Sequence, residues 1–401
     1  MGVGHRLLLA VVSAIAVASI YVAQPMLDPM GRALGIEQGA SGWLVAAGQI
    51  GYLVGLVLLV PLGDVHNRRR LIVAQLGLTG AGMLVTSTGA GVRLVLAGLA
   101  VAGLFAVVVQ TTVAYAAAVS LAGERGRNIG VVTSGVVVGI LGGRVLAGAL
   151  AQTWGWQSVY LVLGLLAVAV AAVAFFALPP DTRNGRSHSY RGVLRSFGSL
   201  TRERVFWSRG LIAFFVFASF GTLWSGMALP LHAAPWRLSE SQIGLFGLVG
   251  LAGALGAARA GTWADRGHAR RVTGIALVLL TGSWTLISQL PWSLWLLIAG
   301  VVVLDFAVQA VHVSNQHSLA TAFSERASTV IGGYMVFYSL GSALGATAST
   351  ALYAAAGWGA SSILGAALAA AAFATWSLDR CISLPMRSHA NATRHRGSAT
   401  N

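Results

Sequence analysis

The sequence predicts an all-α polytopic membrane protein, with twelve transmembrane helices arranged as two pseudo-symmetric six-helix bundles. Three observations predict it. Of 401 residues, 56% are hydrophobic and only 9% are charged, against about 25% charged in soluble domains. The apolar residues fall into twelve runs, most of them close to the roughly 20 residues a membrane helix needs. Landmarks in the first half of the chain recur in the second at a nearly constant offset, the mark of a duplicated unit.

The first run, 7–27, follows Arg6 and mimics a secretory signal, but it continues through Gln24-Pro25 without a cleavage site and reads as a retained first helix. The runs that follow are 41–62, 71–89, 93–119, 128–151 and 157–178. Together they make an N-terminal six-helix bundle over 1–178. The longest connection, 179–208, opens with Pro179-Pro180-Asp181 and then turns basic. Its Val193, Leu194, Phe197 and Leu200 recur at helical spacing, so a short helix lying on anionic lipid is expected there. The runs 209–231, 241–261, 271–290, 292–316, 328–353 and 358–378 form the C-terminal bundle, 209–379. The Ser-, Arg- and His-rich tail, 380–401, is expected to be disordered.

The net charge is +15, and all 26 basic residues are arginine. A nucleic-acid binder would cluster them on a soluble face. Here 22 of the 26 fall in alternate connections and at the termini, which by the positive-inside rule makes those segments and both ends cytoplasmic. Arg32, Arg93 and Arg237 fall on the other side, and Arg144 lies within a span. The lack of lysine beside abundant Ala, Gly and Arg fits GC-rich coding, so the expected location is a bacterial cytoplasmic membrane.

Between the second and third spans lies Pro61-Leu62-Gly63-Asp64-Val65-His66-Asn67-Arg68-Arg69-Arg70. A looser copy, Gly261-Thr262-Trp263-Ala264-Asp265-Arg266 followed by Arg270-Arg271, comes 201 residues later. Glu124-Arg125 and Glu325-Arg326 are also 201 apart, and Gly155-Trp156 and Gly357-Trp358 are 202 apart. In these motifs the chain resembles the major facilitator superfamily, and within it the bacterial drug–proton-antiporter-like exporters. Leu62, Asp64, Arg68 and Arg69 match the family's loop signature. Val60 and Val65 depart from it, and Asn67 replaces a turn glycine, a position asparagine can fill in the left-handed region.

The resemblance implies two bundles that rock about a midplane cavity and exchange a small amphiphilic substrate for protons. It implies a cytoplasmic gate at Asp64, Arg68 and Arg69, at Asp265, Arg266 and Arg270, and at the pairs Glu124-Arg125 and Glu325-Arg326. An acid at a helix end can bond backbone N–H groups or arginines and let go when the bundles move. The resemblance also implies that the glycines of the fifth span, Gly139, Gly142, Gly143 and Gly148, let the bundles meet closely. Arg93, at the mouth of the fourth span, matches an arginine implicated in proton coupling.

Charges inside membrane spans cost about 2.5–3.5 kcal/mol on insertion scales and are functional or paired. Asp305 in the tenth span is the candidate proton carrier, with Arg144 as its partner or modulator. The alternative is a structural ion pair or a snorkelling arginine. Steps of three and four residues put Asp305, Gln309, His312 and Gln316 on one helix face, and His312 can titrate near neutral pH. Asn315 on the same helix, with Gln24, Gln49, Tyr52, Gln110 and Tyr115, are further candidate cavity residues, weighed against ordinary helix-to-helix hydrogen bonding. Trp224, with Phe220 and Met227, makes an apolar, aromatic wall.

No phosphate-cradling glycine loop with lysine exists, because there is no lysine. One cysteine, Cys381, excludes an internal disulfide. The expectation is a non-enzymatic, monomeric transporter with no cofactor or metal and no nucleic-acid partner. Its partners are a small molecule, protons and anionic lipids, and the proton gradient is its energy source. The rivals are a proton-coupled importer of a small metabolite and a non-transporting membrane sensor of the same fold.

Overall fold

The structure, a computed structural model, describes residues 2–120, 124–179, 200, 202–256, 269–323 and 327–383. Among these residues there are helices and no strands. Among the described residues, nine helical segments are long and apolar enough to cross a membrane. One of them, Val330–Cys381, is two spans: at Gly357 the backbone leaves the helical region, with φ of 73°. Ser361 Oγ there donates to the carbonyl of Ser349 at 2.9 Å, whereas twelve residues of straight helix would span about 18 Å. Glu240–Gly256 and Ala269–Ile287 occupy the places of the eighth and ninth spans, so the fold is consistent with twelve.

The spans are α1 (Val3–Tyr21), α2 (Trp43–Leu58), α3 (Arg68–Ser87), α4 (Val92–Val119), α5 (Arg125–Trp154) and α6 (Trp156–Ala177). They continue as α7 (Arg204–Gly226), α8 (Glu240–Gly256), α9 (Ala269–Ile287), α10 (Leu294–Ala322), α11 (327–356) and α12 (358–383). Two expected boundaries change. The helix begins at Arg204, inside the expected linker, and α12 runs through Ser383, so residues 380–383 are helix rather than tail. The expected interfacial helix falls mostly outside the described residues.

Glycines with a positive φ, Gly35, Gly89, Gly155 and Gly357, mark connections on one end of the bundle, here termed the turn face. Within each half, helices meet where side chains are missing. A Cβ on Gly103 would lie 2.1 Å from the carbonyl oxygen of Gly48, joining α4 to α2, and one on Gly345 would lie 2.0 Å from that of Ala218, joining α11 to α7. Small residues permit such approach in membrane bundles.

The halves meet along two seams near the turn face. In the first, α2 packs on α11: Gly42 N–H donates to Thr350 Oγ1 at 3.1 Å. In the second, α5 packs on α8: Ser241 Oγ donates to the Gly148 carbonyl at 3.2 Å, and Gly244 and Gly247 lie against the carbonyls of Arg144 and Leu141. Of the expected α5 glycines, Gly148 therefore faces the other half. Gly139 and Gly143 face α1, and Gly142 faces only Val138 of its own helix. The glycines that let the halves meet come from both sides: Gly42 and Gly148 from the N-terminal half, Gly244 and Gly247 from α8.

Gly103→Ala is expected to destabilise the purified protein by about 1–3 kcal/mol through overpacking. Gly77 has nothing within 4 Å of a Cβ, so Gly77→Ala is expected to raise stability by about 0.5–1 kcal/mol. Thermal unfolding in one detergent compares the two.

Candidate functional site: a buried arginine, indole and carboxylate

The site begins with the packing of α1 on α5. Gly135, Gly139 and Gly143, four residues apart, face Ala10, Ala14 and Ala18, also four apart. The two backbones run almost in contact, so Arg144 arrives beside the end of α1. There Pro25 cannot donate to the helical ladder and restricts the residue before it. The helix ends at Tyr21, and a 3-10 turn, Gln24–Met26, leads into a short helix, Leu27–Leu34. The break places Gln24, fully buried, next to the arginine.

Arg144 is 1% exposed. Its Nε and Nη2 donate to Gln24 Oε1 at 3.0 and 2.6 Å. The guanidinium lies 3.6 Å from the centroid of the Trp224 ring, with Tyr21 and Phe220 at 5.6 and 5.7 Å. A desolvated cation on an indole face is worth about 2 kcal/mol or more. Trp224, on α7, donates Nε1–H to Asp305 Oδ1 at 3.2 Å. Arg144 and Asp305 therefore do not form a direct ion pair: the cation is on the face of one indole and the carboxylate at its edge.

Asp305 reaches this position because α8 has no side chains in the way. A Cβ on Gly250 would lie 2.5 Å from Asp305 Oδ2 and 2.8 Å from Trp224, and one on Gly253 would lie 3.1 Å from Asp305 Cβ. Three buried polar atoms of the cluster lack a protein partner: Arg144 Nη1, Gln24 Nε2 and Asp305 Oδ2. Gln24, Pro25, Arg144, Trp224, Met227, Ala228 and Ile243, drawn from both halves, line a crevice that is closed in this conformation, with no room for a water molecule.

The remaining candidates fall into separate groups. Along α10, His312 Nδ1 is 3.0 Å from the Tyr334 hydroxyl, and its Nε2 is 3.1 Å from Gln316 Nε2. Gln309, His312 and Gln316 are half-buried. Asn315 instead turns to Arg209, at 3.4 Å, and Arg209 also reaches Asp379 at 3.7 Å. In the N-terminal half, Gln110 Nε2 donates to the Tyr52 hydroxyl at 3.1 Å, and Gln49 is fully buried. Tyr115 is not a cavity residue: its hydroxyl donates to the Pro179 carbonyl at 2.8 Å, fastening α4 to the end of α6. Arg93 is exposed at the first turn of α4, outside the buried cluster.

At the loop between α2 and α3, Arg68 is buried, donating to the carbonyls of Gly63 at 3.0 Å and Ala114 at 3.2 Å. Arg69 donates to the Phe175 carbonyl. Asn67 is not left-handed: with φ −62° and ψ 115° it caps α3 and accepts from Arg70 N–H, the ordinary role of asparagine at a helix start. Asp64 lies in a short helix, Leu62–Val65. Glu124 precedes α5 and is exposed, as is Arg270 on α9. The side chains of Asp64 and Arg125, and all of Asp265, Arg266, Glu325 and Arg326, lie outside the described residues.

Four residues of the structure were absent from the candidates. Tyr21 flanks Arg144, and Gly250 and Gly253 admit Asp305. Arg209, counted in the sequence only toward topology, is buried with Asn315 and Asp379. The three-residue spacing of Gly247, Gly250 and Gly253 was the available signal for a close approach along α8.

Comparison with known proteins extends over the whole fold. The family model described as Major Facilitator Superfamily matches residues 9–235 and 219–380. The uncharacterized transporter YgaY of Escherichia coli O157:H7 is 38% identical over 370 residues, 92% of this chain and 94% of its own length. A Streptomyces coelicolor protein named as a transporter, SCO4007, is 30% identical over 353 residues, 88% of this chain and 82% of its own. A bacterial homologue of the human lysosomal transporter Spinster, solved inward-facing and unoccupied, shares the fold with a TM-score of 0.76. That match covers 94% of this chain and 97% of its own at 15% identity.

If the indole couples the two charges, Arg144→Ala and Asp305→Asn are non-additive. Each single replacement destabilises the protein, and a double-mutant cycle read by thermal unfolding gives a coupling of about 1–3 kcal/mol.

Proposed function

Because the chain belongs to the major facilitator superfamily and is a secondary transporter of that type, we propose that it couples movement of a small amphiphilic molecule to protons, with Asp305 as the proton carrier. One observation carries this reading. Asp305 is a buried carboxylate on a membrane helix, held by one donor at Oδ1, with Oδ2 unpaired. Such a group accepts a proton without breaking an existing bond. Its protonation also removes the negative charge that balances Arg144 across the indole.

The cluster draws Gln24 and Arg144 from one half and Trp224 and Asp305 from the other. Its charge state therefore bears on how the halves sit against each other. Proton binding is coupled to rocking of the two bundles, the alternating-access motion of inverted and tandem repeats. The arginine bias along the sequence supports a bacterial cytoplasmic membrane, with both termini and the interbundle linker on the cytoplasmic side next to anionic lipid. In that orientation the two seams near the turn face lie at the outer side. Arg68 and Arg69 then hold the cytoplasmic loop, with Asp64 as the releasable acid of the gate. The protein works as a monomer with the proton gradient as its energy source.

The direction of coupling follows the charge of the substrate. A cationic amphiphile competes with the proton for Asp305 and leaves in exchange for it, which is the export implied by the likeness to drug–proton antiporters. An anionic substrate binds together with the proton and moves the same way, as in import. The unpaired donors of Arg144 and Gln24 favour this second reading.

Proton flux in proteoliposomes tests the carrier. A pH-sensitive dye inside the vesicles is read as amphiphiles of either charge are added, for the parent and for Asp305→Asn. The expected result is a substrate-dependent pH change in the parent that falls at least about tenfold in the variant. Equal flux in both would move the proton site away from Asp305.

A further inference from the structure

Arg144 uses only part of its hydrogen-bonding capacity on the protein. Nε and Nη2 converge on a single oxygen of Gln24, while Nη1 is buried without a partner. The amide nitrogen of Gln24 is also buried and unpaired. Both side chains line the crevice, whose other walls are Pro25, Trp224, Met227, Ala228 and Ile243. Arginine stays protonated at any physiological pH, and a buried polar group left unsatisfied costs about 1–3 kcal/mol, more when charged. The crevice is closed in this conformation; because its walls belong to both halves, their parting would present a fixed cation and two sets of N–H donors beside an apolar, aromatic wall.

We infer that this crevice is the subsite for the carboxylate of a singly charged, amphiphilic substrate, with Arg144 Nη1 and Gln24 Nε2 as its donors. The inference rests on the reading of the Arg144–Trp224–Asp305 cluster as the transport site. A carboxylate is acceptor-only, with two oxygens, one for each donor. An ammonium group would meet donors and a like charge. An uncharged amide would bring a single strong acceptor and no charge. A dianion would leave a net negative charge buried, which the single arginine does not balance.

The carboxylate and Asp305 share Arg144 as their counter-charge. With Asp305 ionised, the loaded cluster has a net charge of −1; with Asp305 protonated it is neutral. Proton and carboxylate therefore favour each other's binding, by the reciprocity of linked equilibria, and they travel together. The groups around Asp305 allow this assignment. Trp224 comes from α7, Gly250 and Gly253 from α8, and Arg144 from α5, with Tyr21 of α1 beside the arginine. His312, two turns along α10, is engaged with Tyr334 and Gln316.

The test is calorimetric binding to the full chain in lipid nanodiscs, using naphthylacetate, naphthylacetamide and naphthylmethylammonium at about pH 6 and about pH 8, where the probe carboxylate stays ionised. The expected affinity order puts the carboxylate about tenfold or more ahead of the other two, with tighter binding at the lower pH. Asp305→Asn is expected to bind it equally at both pH values. Arg144→Gln is expected to lose the carboxylate preference, and Gln24→Leu to weaken it about fivefold.

Equal or tighter binding of the amide or the ammonium, absence of carboxylate binding, or a preference that survives both Arg144→Gln and Gln24→Leu would overturn the inference. If Arg144→Gln does not fold, the probe series and Gln24→Leu decide alone. Carboxylate preference without proton flux defeats the carrier reading and leaves the subsite. Proton flux without the preference does the reverse.

Discussion

The placement of the Arg144 guanidinium on the face of Trp224, 3.6 Å from the ring centroid, is the interaction on which the rest depends. An arginine in the middle of a membrane helix costs about 2.5–3.5 kcal/mol on insertion scales. The indole face, the Gln24 oxygen and the carboxylate at the far edge of the indole together offset that cost without a direct ion pair. A direct contact would lock the two charges at one separation. An intervening ring leaves each with a free atom, Nη1 on one side and Oδ2 on the other, and those free atoms are where a substrate group and a proton can act.

Backbone proximity makes the arrangement possible. Arg144 reaches Gln24 because Gly135, Gly139 and Gly143 let α5 lie on α1, and Asp305 reaches Trp224 because Gly250 and Gly253 empty the facing side of α8. The same α8 uses Gly244 and Gly247 to touch α5 of the other half. One helix therefore both positions the carboxylate and forms a seam between the bundles. That shared use ties chemistry at Asp305 to the geometry of the interface, the kind of two-state element that coupled transport requires.

Much of this architecture can be read from the chain. The apolar runs, the arginine bias and the 201-residue offset specify the bundle and its duplication, because membrane helices must satisfy their backbone internally and announce themselves by length. Arg144 and Asp305 stood out because charge is rare in such runs. Their meeting through Trp224 was not legible. The sequence places them at different heights on different helices, and only the break at Pro25 and the glycine faces of α5 and α8 decide where each side chain arrives. Tyr115 and Asn67 were misread for a related reason. A hydroxyl or amide near a helix end has a local backbone partner as often as a cavity to face, and periodicity cannot separate the two.

The central claim is that protonation of Asp305 shifts the two bundles relative to each other. Pulsed electron-spin distance measurement tests it most directly. Labels would be placed at Phe176 on α6 and Leu378 on α12, one in each half and both well exposed, in a background with Cys381→Ser. The account predicts a distance distribution that shifts between about pH 6 and about pH 8 in the parent and stays fixed in Asp305→Asn. A shift of equal size in the variant would contradict it.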